Sequence, residues 1–131
     1  MSLPFVLAVH GERLAIARLD PTATVPPWAR GTFVNISRTR NELSIVCAQE
    51  PVPSSVQHER DKIAFGIVGV VPMTTIGLLA SLCGALAAAK VPVFAISTYD
   101  TDYLLISAVH FDAAATALTT AGYQCQGALP C

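Results

Sequence analysis

Asp100 and Asp102 stand two residues apart in the string Ser97-Thr98-Tyr99-Asp100-Thr101-Asp102-Tyr103, the closest pair of carboxylates in the second half of the chain. Two carboxylates divide into acid and base where a cleft separates their pKa values. This pair flanks a turn, where aspartate is favoured simply because its side chain bonds nearby backbone. His10, His58 and His110 are isolated, the first in a turn, the second in a linker and the third at a strand end. No serine or cysteine stands in a nucleophile-elbow pattern, and no glycine-rich phosphate loop is present. No cluster of histidine, cysteine and carboxylate has metal-ligand spacing. The sequence therefore reads as a non-enzyme, with no cofactor and no metal expected. A second charged tip, Arg38, Arg40 and Glu42, reads as solvated charge.

The elements that must position these residues belong to a chain of 131 residues, enough for one compact domain or two very small ones sharing a core. Apolar residues make up 53% and charged residues 13%, so much apolar surface must be buried, part of it in a subunit contact. A net charge of −1 without a basic cluster excludes an electrostatic footprint for nucleic acid or an anionic membrane. Ile63 to Ala89 carries no formal charge and is longer than the ~20 residues that span a bilayer. Pro72 interrupts it, Thr74 and Thr75 follow, and the part before Pro72 is rich in β-branched residues. The stretch reads as a buried strand, a loop and a helix. The start Met1-Ser2-Leu3-Pro4 lacks the basic residues of a secretory signal. Cys47 and Cys83 lie in apolar stretches; Cys125 and Cys131 either bridge or, as preferred here, join them as reduced thiols of a cytoplasmic protein.

Phe5 to Val9 and Leu14 to Leu19 are apolar runs joined by His10-Gly11-Glu12-Arg13, a hairpin pattern. Asp20 to Pro27 is a proline-rich loop, with a short helical turn expected around Trp28. A second hairpin turns at Arg38-Thr39-Arg40-Asn41. Glu50 to Asp61 is the best linker in the chain, and it separates a strand-rich region, residues 1–60, from residues 61–131. There Lys62 to Val71 reads as a strand, and Thr74 or Thr75 as the N-cap of a helix to about Ala89. Along that helix Ile76, Leu79, Cys83, Leu86 and Ala87 form one stripe, and small residues the rest. Val91 to Thr98, apolar on both faces, suits a central strand; Tyr103 to Val109 returns. Asp112 caps a second helix that Gly122 ends, and Tyr123 to Gln126 adds an edge strand. The order is β-α-β-β-α-β, an α+β ferredoxin-like arrangement with both helices on one face of an antiparallel sheet.

Ile76-Gly77-Leu78-Leu79-Ala80-Ser81-Leu82, then Leu86-Ala87, then Val91 to Ser97, resembles the ACT-domain signature. The run Val93 to Leu105 resembles the small tandem ACT proteins of bacteria, relatives of the aspartate kinase regulatory region and of the CASTOR-type amino-acid sensors. Ser37 to Cys47 resembles the first-domain hairpin of the same group. The resemblance extends from about Phe5 to Gln124 and implies a βαββαβ ACT domain preceded by a reduced ACT-like one. It departs from the usual ACT pattern before the helix, where Thr75 and Ile76 stand in place of an acidic residue and a proline.

The resemblance implies that an amino acid is held at an ACT–ACT interface. Its carboxylate would sit by Thr74, Thr75, Ile76 and Gly77, where unpaired helix-start amides suit an anion. Its ammonium would meet Asp102, with Thr98 and Tyr99 lining the pocket and Asp100 available to a cationic side chain. Thr39 and Glu42 would stand further out. The implied protein is a ligand sensor, a homodimer or the regulator of a protein partner. The rival reading is a ligand-free dimerisation or protein-interaction module using the same interface.

Overall fold

The computed structural model describes residues 5–127. The reading of the first four residues falls outside that range, as does Cys131 of the Cys125–Cys131 alternative. In chain order the elements are β1 (Val6–Val9), β2 (Leu14–Leu19), β3 (Asn35–Arg38), β4 (Leu43–Ala48), β5 (His58–Ile67), α1 (Leu78–Ala88), β6 (Phe94–Ser97), β7 (Asp102–Ser107), α2 (Phe111–Thr120) and β8 (Gln124–Gln126). A 3-10 turn, Ala108–His110, leads into α2. From β5 onward this is the expected β-α-β-β-α-β order. The chain divides into two compact units, one of residues Glu12–Lys62 and one that joins the N-terminal residues to Gly11 with Ile63 onward.

In the helix-bearing unit the strand order is β8-β1-β5-β7-β6. β1 runs antiparallel to β5, with Leu7 opposite Ile67, and parallel to β8, with Leu7 opposite Cys125. The sheet is therefore mixed, not purely antiparallel. The expected hairpin of β1 with β2 does not form: β1 takes residues 65–67 of β5 as its partner, and β2 takes residues 58–62. Nonlocal ladder hydrogen bonds outcompete the local turn, and His10 N–H donates to Ala64 O (2.9 Å) in continuation of that ladder. Leu7, Phe65, Ile67, Leu104 and Ile106 from the strands meet Leu82 and Leu86 of α1 and Ala114 and Leu118 of α2 in one buried cluster. Both helices thus pack on the same sheet face, as two-layer burial of an amphipathic sheet requires.

Several boundaries move. β5 begins at His58, four residues before its expected start, and ends at Ile67; its charged opening residues are exposed, and backbone pairing with β2 sets their conformation. α1 buries Leu82 and Leu86, while Ile76 lies outside the helix and is 96% exposed, so the apolar stripe is displaced from the expected one. Among the described residues β6 pairs only with β7, an edge position rather than a central one. Its apolar run is explained by Val91 and Val93, which pack against the core before the strand starts, while Phe94 remains half-exposed.

Both helices end in the same way. In α2, Gly122 adopts φ +105°, with Gly122 N–H bonded to Thr119 O and Tyr123 N–H to Leu118 O, both 3.0 Å. This is the Schellman arrangement expected of a C-terminal glycine. α1 repeats it with Lys90 at φ +60°, bonding Ala87 O and followed by Val91 N–H to Leu86 O. The start of α2 differs from expectation: His110 holds the N-cap position, and Asp112 lies in the first turn, where its charge suits the helix dipole.

In the Glu12–Lys62 unit the strand order is β3-β4-β2 and then the first half of β5. Ala15, Ala17, Leu43, Ile45, Cys47 and Val52 form its core, and Trp28, Ala29 and Val56 pack against it. Pro26 to Arg30 forms turns, not a helix: Ala29 N–H donates to Pro26 O and Arg30 N–H to Trp28 O. A loop therefore covers this core where the other unit uses helices.

Candidate ligand site

The site grows from the loop between β5 and α1. Pro72 cannot continue a ladder, and its carbonyl accepts the Thr75 N–H (2.9 Å), which closes a turn. Gly77 follows at φ +81° in the N-cap position, with no side-chain cap. Neither Thr74 nor Thr75 is the cap: the turn at Pro72 delays the helix to Leu78. The first intrahelical bond runs from Ser81 N–H to Gly77 O (2.9 Å). Leu78, Leu79 and Ala80 therefore carry the amides that a helix start leaves without intrahelical partners.

The β6–β7 turn lies against this helix start. Thr98 N–H donates to Thr101 O (2.8 Å), and the Thr98 hydroxyl accepts the Thr101 N–H (3.2 Å). The Thr101 hydroxyl donates to Ile67 O (2.9 Å), which anchors the turn to the end of β5. Val71 N–H donates to Asp100 O (2.6 Å), tying the loop before α1 to the same turn. Ser97 faces Asp102 across the strand pair and donates its hydroxyl to Asp102 Oδ1 (2.5 Å). Loop, helix start and turn line an open cleft of about 330 Å³.

Of the residues singled out from sequence, Thr75, Gly77, Thr98, Tyr99 and Asp102 line this cavity. Ile76 lines a neighbouring one of about 220 Å³, shared with Thr75 and Gly77 and floored by Phe5, Ser81 and Tyr123. Thr74 and Asp100 line neither, although Asp100 holds the loop through its carbonyl. Thr39 and Glu42 belong to the other unit, where Thr39 N–H donates to Glu42 O (2.9 Å) and closes the β3–β4 turn.

Sequence reasoning missed Val71, Met73, Leu79, Ser97 and Thr101, which also line the larger cavity. Ser97 was findable, because a four-residue turn places it directly opposite Asp102. Val71 and Met73 carried no signal, since a loop folding back onto a hairpin leaves no periodicity.

Among the described residues, no lysine, arginine or histidine lines the cavity. Cys83, half-buried on α1, has its thiol pushed up from its ordinary pKa by burial and secondly by the Asp102 charge. Among the described residues no group of three or more histidine, cysteine or carboxylate side chains is placed to hold a metal ion. No helix among them is long and apolar enough to cross a membrane.

This arrangement is that of an ACT-type α+β fold, and comparison with known proteins agrees. The family model for the ACT domain matches residues 57–120. A second model, described only as an N-terminal domain, matches residues 12–55. A crystal structure of a protein from Agobacterium tumefaciens is similar at a TM-score of 0.89 and 30% identity, with 95% of this chain and 94% of that one covered. The chain belongs to the ACT-domain family, as a small tandem ACT-like protein.

Among more distant structures, the regulatory subunit of aspartate kinase from Thermus flavus matches at a TM-score of 0.61 and 15% identity, covering 88% of this chain and 96% of that one. Aspartate kinase from Clostridium acetobutylicum matches at 0.66 and 14% identity over 93% of this chain, which spans 36% of that enzyme. These two likenesses concern the fold. No curated protein matches the sequence.

Proposed function

We propose that this protein is a non-catalytic regulatory ACT protein that binds a free amino acid at the cavity between the α1 start and the β6–β7 turn. The carrying observation is the pairing of opposite polarities in one small space. The helix-start amides of Leu78 to Ala80, which have no intrahelical partner, suit a carboxylate, and Asp102 on the facing strand suits an ammonium. Gly77 removes the Cβ that would crowd the ligand's approach. The cavity supplies one side of an ACT–ACT interface, and a second copy of the chain supplies the other. Occupancy then biases a homodimer or a regulated partner by the ligand's differential affinity for two states. The regulatory subunit and enzyme named above support a regulatory reading, and a cytoplasmic location follows from it.

A thermal-shift screen against the twenty amino acids at millimolar concentration tests the proposal. Ligand at 100 times its Kd stabilises by about 2.7 kcal/mol, which raises Tm by roughly 8 °C in a chain of this size. A flat screen overturns amino-acid binding. It would leave the second reading, a ligand-free dimerisation module, which is favoured by the half-exposed Phe94 on the β6 edge and by exposed Val70, Met73 and Ile76. A stable dimer in light scattering together with a flat screen is its signature.

A further inference from the structure

We propose that the open edge of β3 docks an extended segment of a partner protein, apolar in its middle and acidic at its ends, which joins the sheet of the Glu12–Lys62 unit as a further strand. The proposal is independent of the amino-acid reading, because it lies in the other unit. Among the described residues β3 pairs only with β4.

Hydrogen-bond parity identifies the backbone groups left open. In an antiparallel ladder every second residue turns its N–H and C=O to the same side. Thr39 N–H donates to Glu42 O, so the pairs that exchange hydrogen bonds are Ser37 with Ser44 and Asn35 with Val46. The far end agrees. Gln49 N–H points toward β2, to Arg13 O, and Ala48 N–H points the opposite way, to Arg30 O (3.0 Å). Ile36 and Arg38 therefore turn N–H and C=O away from β4, and Arg30 continues the line of the edge beyond β3.

The side chains along this edge define the occupant. Ile36 stands opposite fully buried Ile45 yet is 43% exposed, and Val34, two residues before it, is 41% exposed. An incoming strand covers both with its own alternate apolar side chains. From Pro21 to Asn41 the chain carries Arg30, Arg38 and Arg40 and no acidic residue. All three arginines are exposed. The ion pairs Arg13–Asp61 and Glu59–Lys62 involve none of them. Arg38 bonds a neutral carbonyl, that of Pro21, and Asp20 at the margin is engaged by Thr22. Positive charge at both ends of an open edge, with apolar surface between, suits a strand that carries carboxylates at its ends. A second copy fits worse, because pairing β3 with itself doubles the arginines along one ladder. The β6 edge has no such bar, since Val91 to Tyr99 carries no charge.

Fluorescence anisotropy tests the proposal, with a labelled peptide of about nine residues, glutamate at its ends and alternating valine and threonine between, against the same peptide with lysine for glutamate. At ~0.1 M salt the glutamate peptide is expected to bind about tenfold or more tighter, a preference that shrinks at ~0.5 M. Arg40→Glu should cut that preference about threefold or more while leaving Tm near the wild-type value. In amide exchange, Asn35 and Ser37 should be slow in the free protein, and Ile36 and Arg38 should become slow only with the peptide bound. Equal affinity for the two peptides, or binding of neither, leaves a merely guarded edge and overturns the proposal. Binding without protection of Ile36 and Arg38 seats the peptide elsewhere and overturns it as well. Protection of those two amides in the free protein, rising with protein concentration, puts a second copy on the edge instead of a partner.

Discussion

The β3–β4 and β6–β7 hairpins turn in the same way and face different things. In each, the threonine that opens the turn donates its N–H to the carbonyl three residues on, Thr39 to Glu42 and Thr98 to Thr101. In each, its hydroxyl accepts the returning N–H, from Glu42 in one case (3.3 Å) and from Thr101 in the other (3.2 Å). The flanking pair is Arg38 opposite Leu43 in the first and Ser97 opposite Asp102 in the second. Leu43 is fully buried in a core that Trp28 and Val56 also cover. Asp102, at the matching position, lines a cavity under a helix start. Arg38 donates to the Pro21 carbonyl and Arg18 of β2 to the Asn41 carbonyl, and both bonds hold the first tip. The turn fixes where the first residue of the returning strand points, and the covering element decides whether it meets a packed core or a space.

The sharpest test exchanges nothing but that residue. Leu43→Ala should destabilise by about 3 kcal/mol, through lost burial and the cavity left behind, seen as a Tm lowered by roughly 10 °C. Asp102→Ala should change stability by less than about 1 kcal/mol yet abolish amino-acid binding in titration calorimetry. Equal destabilisation by the two substitutions would remove the distinction between core and cavity.

Gly77→Ala comes next. A Cβ there meets nothing within 4 Å, but φ +81° is strained for alanine, so a loss of about 1–2 kcal/mol in chemical denaturation is expected, with weaker ligand binding. The paired variants Thr39→Val and Thr98→Val should each lose about 0.5–1 kcal/mol through the missing turn hydrogen bond, and a large disparity between them would break the likeness of the turns.

The thiols give the smallest effect. Burial raises the pKa of both Cys47 and Cys83 above 9.0, so the stability each contributes is complete below pH 9 and declines as pH rises through the raised value. Native-state alkylation should modify half-buried Cys83 and spare fully buried Cys47.

Much of the helix-bearing unit was legible because its signals are local. Gly122 ends α2 through a conformation that a missing Cβ permits, and the Tyr99 to Asp102 string announces a turn between two apolar runs. The failures share a cause. The hairpin expected at His10 to Arg13 lost to pairing of β1 with β5 and β8, partners distant in sequence. The cap expected at Thr74 or Thr75 lost to the turn at Pro72, which moved the helix start to Gly77. Thr75, Gly77, Thr98, Tyr99 and Asp102, named through the family resemblance, line the larger cavity, whereas Val71 and Leu79 join it only because the loop folds back beside the helix.

The sequence by itself determined the order of strands and helices, the turn between β6 and β7 and the glycine end of α2, because periodicity, C-capping and turn chemistry act over a few residues. Only the tertiary structure decided that β1 inserts between β5 and β8, that β6 lies at an edge, and that Asp102 shares a cavity with the start of α1. Those outcomes depend on which distant backbone groups complete one another's hydrogen bonds and which apolar surfaces find a cover, and neither is encoded within any short window of the chain.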